Sequence, residues 1–181
     1  MYKTEVQTAT IEVERWLADY CCPERFSALC EACPNYGQVW SCPPGVPPAR
    51  DAFAPYGSAC VIAVKVIYDA ETRAAAVTPE ETARLRRESY EKVKRALWEG
   101  LLEREAAHPG TYTVAAGRCE ACAVCARQEK LPCRAPEKRR YSFSAFGFDL
   151  TPMAEELLGV KLLWAKTGLP EYDVAMAAVL T

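Results

Sequence analysis

The sequence predicts an α/β (α+β sandwich) fold: a mixed sheet of about four strands covered by helices, with two cysteine-rich loops attached. Three observations predict it. Residues 59–68 read ACVIAVKVIY, β-branched and almost continuously apolar, as a strand buried on both faces would be. Thr78-Pro79-Glu80-Glu81 combines a capping hydroxyl, a proline at the first helical position and acids in the first turn, the start of a long helix. Ten cysteines occur among 181 residues, and nine of them fall into two tight groups.

The remaining elements follow in chain order. Residues 8–13 alternate in polarity and suggest a strand, with a helical start as the alternative because Glu12, Glu14 and Arg15 would share an exposed side. Pro23 opens a short helix over 24–29 with Cys22 at its cap. Loop follows, punctuated by Pro34, Asn35 and Gly37 and stiffened by Pro43, Pro44, Gly45, Pro47 and Pro48. The helix that starts at Pro79 is expected to run to about His108, before Pro109-Gly110, with Ala83, Tyr90, Val93, Leu97 and Leu101 as its apolar stripe. Residues 111–116 form a short strand that leads into the second cysteine group. Thr151-Pro152 starts a helix over 153–158 that Gly159 ends, and Asp149 stands where its cap is wanted. Residues 160–165 and 172–180 read as the two strands of a closing hairpin. One domain spans 1–181, with an N-terminal cysteine-rich segment at 19–48 and a C-terminal cysteine-rich loop at 117–141.

Composition narrows the functional classes. A formal net charge of -2 provides no global field for nucleic acid or an anionic membrane, which leaves Lys138-Arg139-Arg140 beside Tyr141 as an isolated basic run and makes a nucleic-acid partner unexpected. The first residues lack an apolar leader core and no run is long enough to span a bilayer, so a soluble cytoplasmic protein with no membrane partner is expected. His108 is the only histidine, which argues against a histidine-based metal centre. No phosphate-cradling glycine loop, nucleophile elbow or dinucleotide fingerprint occurs, and no catalytic residue is assigned. Cys60, apart from the groups and inside the 59–68 strand, reads as a small buried apolar residue.

Grouped cysteines in a reducing compartment point to metal or redox chemistry. In the later group, two residues separate Cys119 from Cys122 and Cys122 from Cys125, and seven separate Cys125 from Cys133. Three thiolates at that short spacing can hold three corners of an iron–sulfur cube, with a fourth closing the site. Bacterial-type ferredoxins place the fourth cysteine sooner, with proline directly after it; here Arg134-Ala135-Pro136 follows Cys133. One zinc ion is the alternative, although zinc sites usually pair two short cysteine couples some distance apart. Arg118, Arg127, Lys130, Arg134, Lys138, Arg139 and Arg140 make this loop basic, which suits an anionic cluster. The earlier group, Cys30, Cys33 and Cys42, supplies three ligands of a second site. Its fourth ligand is Cys22, Cys21 or nothing, and the last case leaves one iron corner open. The structural alternative is one shared metal site with some cysteines simply buried. Tyr36, Trp40, Tyr141, Phe143, Phe146 and Phe148 flank both groups as packing contacts that also shield a cluster from water.

The strings CEACPNYGQVWSCPP, GRCEACAVC and LPCRAPEKRRYSFSAFGFDL, with the closing segment, resemble the bacterial and archaeal family catalogued as predicted metal-binding proteins, domain of unknown function 2284. The resemblance runs from about Cys30 to the end and includes the S-x-x-A-x-G-x-D segment ending at Asp149. It implies metal binding by Cys30, Cys33, Cys42, Cys119, Cys122, Cys125 and Cys133, and no particular reaction; it does not assign the Cys21-Cys22 doublet.

The expected function is therefore a redox module with one or two [4Fe-4S] clusters that exchanges electrons with a partner protein or a small molecule. A zinc-stabilised binding module without redox activity is one alternative. An iron–sulfur enzyme with an open cluster site is the other.

Overall fold

The structure, a computed structural model, describes residues 1–115 and 117–181. The chain begins with strand β1 (Tyr2–Glu12), passes directly into helix α1 (Val13–Tyr20) and then into α2 (Pro23–Glu31). A long irregular stretch leads to α3 (Ala49–Phe53), strand β2 (Ser58–Tyr68) and the short helix α4 (Ala70–Ala75). Helices α5 (Pro79–Glu88) and α6 (Tyr90–Ala107) precede β3 (Tyr112–Ala115). After the second cysteine loop come α7 (Phe143–Phe146), α8 (Leu150–Leu158) and β4 (Tyr172–Leu180).

The four strands form one sheet in the order β1-β2-β4-β3. An α+β architecture is thus present, but the four strands pair with one another only antiparallel, which corrects the expected mixed sheet. The cause is the placement of β4. It inserts between β2 and β3 and runs against both, with Val61 opposite Ala178 on one side and Val114 opposite Ala178 on the other.

Helices cover both faces. Ala59, Val61 and Ala63 of β2 and Met176, Ala178 and Leu180 of β4 point toward α1, α3, α7 and α8. There Trp16, Phe53, Phe143, Phe148 and Met153 are fully buried, with ring centroids of Trp16 and Phe148 4.3 Å apart. The opposite face carries Val66 and Tyr68 against α5, and Ala115 and Ala177 against α6. Cys60 lies on this second face and is half-buried, less enclosed than its strand context suggests.

Several boundaries differ from expectation for identifiable reasons. The helix expected to run unbroken from Pro79 divides at Ser89, whose φ of -125° and ψ of -87° are not helical. Its buried hydroxyl donates to Leu85 O at 2.6 Å, a side-chain bond that competes with the helical ladder. Residues 160–165 are not a strand. The Gly159 and Val160 amides close the end of α8 on Glu155 O and Ala154 O, and the Tyr172 hydroxyl donates to Lys161 O at 2.8 Å, so these groups are satisfied without a ladder. The expected end of the third strand at Ala116 lies outside the described residues. At α8 the Asp149 side chain accepts the Thr151 amide at 3.2 Å, the cap the sequence calls for. No helix among the described residues is long and apolar enough to cross a membrane.

Trp16 is fully buried and also donates from its indole nitrogen to Met153 Sδ at 3.1 Å. Trp16→Ala is expected to lower stability by about 3–5 kcal/mol, read as a fall in the urea midpoint.

Candidate metal centre

The earlier cysteine group is built from α2 and the turns that follow it. The Cys22 amide donates to Gly147 O at 2.9 Å, which fixes the start of α2 to segment 142–149. Beyond the helix, the Cys33 amide returns to Cys30 O, the Tyr36 amide to Cys33 O and the Cys42 amide to Val39 O, each at 3.0 Å. Successive tight turns of this kind aim side chains to one side. Cys30, Cys33 and Cys42 accordingly line a single cavity of about 210 Å³, together with Tyr36, Arg118 and Ser142. Burial raises the Cys30 thiol pKa, with Cys33 adding to it. Burial also raises that of Cys42, with Cys33 and Cys30 adding and a bond to Ser41 opposing.

Cys21 and Cys22 are not among the residues of this cavity. Cys21 donates its thiol to Phe146 O at 3.3 Å, and burial pushes it up to about 11. It also forms an isolated bridge with Phe148, so it is part of the packing between α1 and the 142–149 segment. Cys22 is the N-cap residue of α2. Cys30, Cys33 and Cys42 thus share one cavity wall that the doublet does not reach, a distinction the sequence alone could not make.

The later group follows Gly117. The Cys119 amide donates to Ser41 Oγ at 3.0 Å, and Ser41 is fully buried. The Cys125 sulfur accepts the Trp40 amide at 3.4 Å. After it a 3-10 turn, Ala126–Glu129, ends at Lys130, whose φ of 59° is left-handed. Cys119, Cys122, Cys125 and Cys133 are each half-buried, and all ten cysteines are free thiols. Among the described residues no three Cys, His, Asp or Glu side chains stand close enough together to grip one ion.

What joins the two groups is Arg127. One guanidinium nitrogen donates to Val39 O at 3.0 Å and Cys42 O at 2.8 Å, and another to Pro44 O at 2.6 Å. The same cation lies 4.7 Å from the Trp40 ring centre, and the Trp40 indole donates back to Leu131 O at 3.0 Å. Loop backbone without a ladder needs such partners for its carbonyls, and the rigid arginine fork supplies several at once. Two further ties anchor the later loop to α6. Lys94 bonds Glu120 at 3.0 Å and is also paired with Glu91. Burial opposes the charge of Lys94, yet its pKa is raised, because the two carboxylates outweigh that cost. Arg140 is buried, pairs with Glu105, and donates to Thr113 Oγ1 at 3.0 Å. Two of the basic residues read from the sequence, Arg127 and Arg140, thus serve as internal bracing, and Arg134 pairs at the surface with Glu129 at 2.6 Å.

The S-x-x-A-x-G-x-D segment is bracing too. Gly147 has φ +87°, and a Cβ there would run into Pro23. Asp149 accepts Arg25 of α2 at 2.5 Å while capping α8. Phe143, Phe146 and Phe148 sit in the core, as packing residues.

An all-sulfur donor set suits iron–sulfur clusters or zinc and does not suit magnesium or calcium. The Trp40 amide donates to the Cys125 sulfur, and an amide so placed would tune the potential of a metal held there. The family model described as predicted metal-binding protein, domain of unknown function 2284, matches residues 4–180, and the chain belongs to that family. No curated protein and no solved structure matches it.

Arg127→Met is expected to leave the carbonyls of Cys42 and Pro44 without their arginine partner, while Val39 O keeps the Cys42 amide, at a cost of about 2 kcal/mol. Hydrogen exchange should then quicken for amides of 38–45 while β2 stays protected. Gly147→Ala should undock α2, costing about 2 kcal/mol or more from the left-handed backbone and the clash, and should raise the reactivity of Cys21 toward thiol reagents.

Proposed function

We propose that the protein is an iron–sulfur redox protein with two cluster sites. Cys119, Cys122, Cys125 and Cys133 hold one [4Fe-4S] cluster. Cys30, Cys33 and Cys42 hold a second, with one corner free of protein ligand. The observation that carries this reading is the gathering of Cys30, Cys33 and Cys42 around one cavity from which Cys21 and Cys22 are absent. The C-x2-C-x2-C spacing of the later group supports it, because such a run suits the corners of a cube. A lone zinc would need sulfurs packed within about 3.8 Å of one another, given Zn–S bonds of about 2.3 Å. Thiolates on separate iron corners do not need that crowding.

Such clusters, when bound, supply one-electron transfer at potentials set by charge, hydrogen bonds and exposure. The chain's own residues set those terms. Arg127 and the Trp40 amide place a cation and a donor between the two cysteine groups, which favours an added electron. Ser41 and Trp40 hold the loops in contact, so an electron received at the later group has a short way to the earlier one. Lys130 and Lys138, and the apolar Val124 and Leu131, are all exposed in the later loop, which suits an acidic redox partner protein. The earlier group faces a cavity instead, which suits a small molecule.

Anaerobic reconstitution tests this. A brown protein with about eight irons per chain is expected, as two cubanes require. Cys122→Ser and Cys33→Ser should each lose about half the iron, and the pair together nearly all of it. A colourless protein carrying stoichiometric zinc after anaerobic purification would overturn the reading, and so would full iron retention in both variants.

A further inference from the structure

Strand β3 (Tyr112–Ala115) covers β4 only from Ala177 to Leu180, and its other edge bridges Ser142 at Ala115. Beside Asp173 and Val174, therefore, β4 has no paired strand on that side among the described residues. A cavity of about 300 Å³ occupies this notch. Its walls are apolar, from Leu150, Leu162 and Met176, and Trp164, 79% exposed, stands at its edge. A large exposed tryptophan beside an apolar concavity is the usual composition of a ligand site.

The charged groups of the notch are Arg86 and Asp173. Asp173 is buried and fully engaged, accepting the Tyr68 hydroxyl at 2.7 Å on one oxygen and facing Arg86 at 3.3 Å with the other. Arg86 itself is half-exposed, and Tyr90 lies under it with the ring centre 5.0 Å away. Asp173 and Tyr90 thus fix the orientation of a guanidinium that has five N–H donors and gives one nitrogen to the carboxylate. A pre-oriented arginine fork in an apolar recess matches a planar carboxylate. The far end of the notch is formed by Gly117 and Ser144, and both residues also line the cavity of Cys30, Cys33 and Cys42. A molecule in the notch therefore lies end-on to that site.

We propose that the notch binds a small organic carboxylate with an apolar body, its carboxylate on Arg86, its body against Leu162 and Trp164, and its other end toward the opening at Gly117 and Ser144. The carboxylate site stands on the notch alone. Its meaning as the seat of a substrate rests on the reading of Cys30, Cys33 and Cys42 as an open metal site.

Calorimetric titration of the anaerobically reconstituted full chain with phenylacetate and hexanoate tests this. At least one is expected to bind, with benzyl alcohol at least tenfold weaker than phenylacetate or hexanol at least tenfold weaker than hexanoate. Arg86→Met should weaken carboxylate binding at least tenfold and leave the alcohols unchanged. Leu162→Trp, which keeps Arg86 and fills the recess, should abolish carboxylate binding even if Arg86→Met fails to fold. Failure of both acids to bind, or binding untouched by Leu162→Trp, overturns the proposal. Arg86-dependent binding to a chain that holds no iron at Cys30, Cys33 and Cys42 would uphold the carboxylate site and sink the metal reading. Iron present there with no acid bound would do the reverse.

Discussion

The guanidinium of Arg127, spread over the carbonyls of Val39, Cys42 and Pro44, is the contact on which the arrangement of both cysteine groups depends. Neither loop has a ladder to define its shape. Each is shaped by tight turns and by side-chain bonds to its neighbours. One charged side chain from the later loop closes the earlier one from outside, and Trp40 reciprocates through its ring and its indole hydrogen. The two groups consequently form one unit, 85 residues apart in sequence at the Cys42 contact and in direct bonding in space.

Around that contact the fold acts as a frame. The sheet carries the later loop at the end of β3, and α6 holds it through Lys94 with Glu120 and Arg140 with Glu105. Segment 142–149 holds the other half. Gly147 lets Pro23 approach, Cys22 donates to its carbonyl, and Asp149 reaches Arg25. A motif that looks like part of the metal chemistry in the sequence is thus a bracket for the helix that delivers Cys30.

What was legible in the sequence was whatever local chemistry decides. The β2 run, the Thr78-Pro79 start, the Cys22-Pro23 start and the Asp149 cap with its Gly159 end all follow from neighbouring residues, and all are present. Long-range choices were not legible. Nothing near Val160 announces that α8 will take its amide, or that β4 will lie between β2 and β3. Ser89 looks like an ordinary helical serine until its hydroxyl is seen on Leu85 O beneath Tyr68. The cysteines of the two groups were visible by spacing, but the exclusion of Cys21 and Cys22 from the cavity required the packing of α1 and α2 against Phe146 and Gly147. Arg127 was one basic residue among seven in its loop, and only its three carbonyl partners single it out.

In the proposed function, the two cysteine groups are adjoining metal sites held together as one unit. Electron paramagnetic resonance of the fully reduced, anaerobically reconstituted protein tests it most directly, because neighbouring paramagnetic clusters broaden and split each other's signals. The account predicts a coupled spectrum that simplifies to one isolated cluster when Cys33 is replaced by serine. A single sharp uncoupled signal in the unaltered protein, or no signal from a zinc-loaded one, would contradict it.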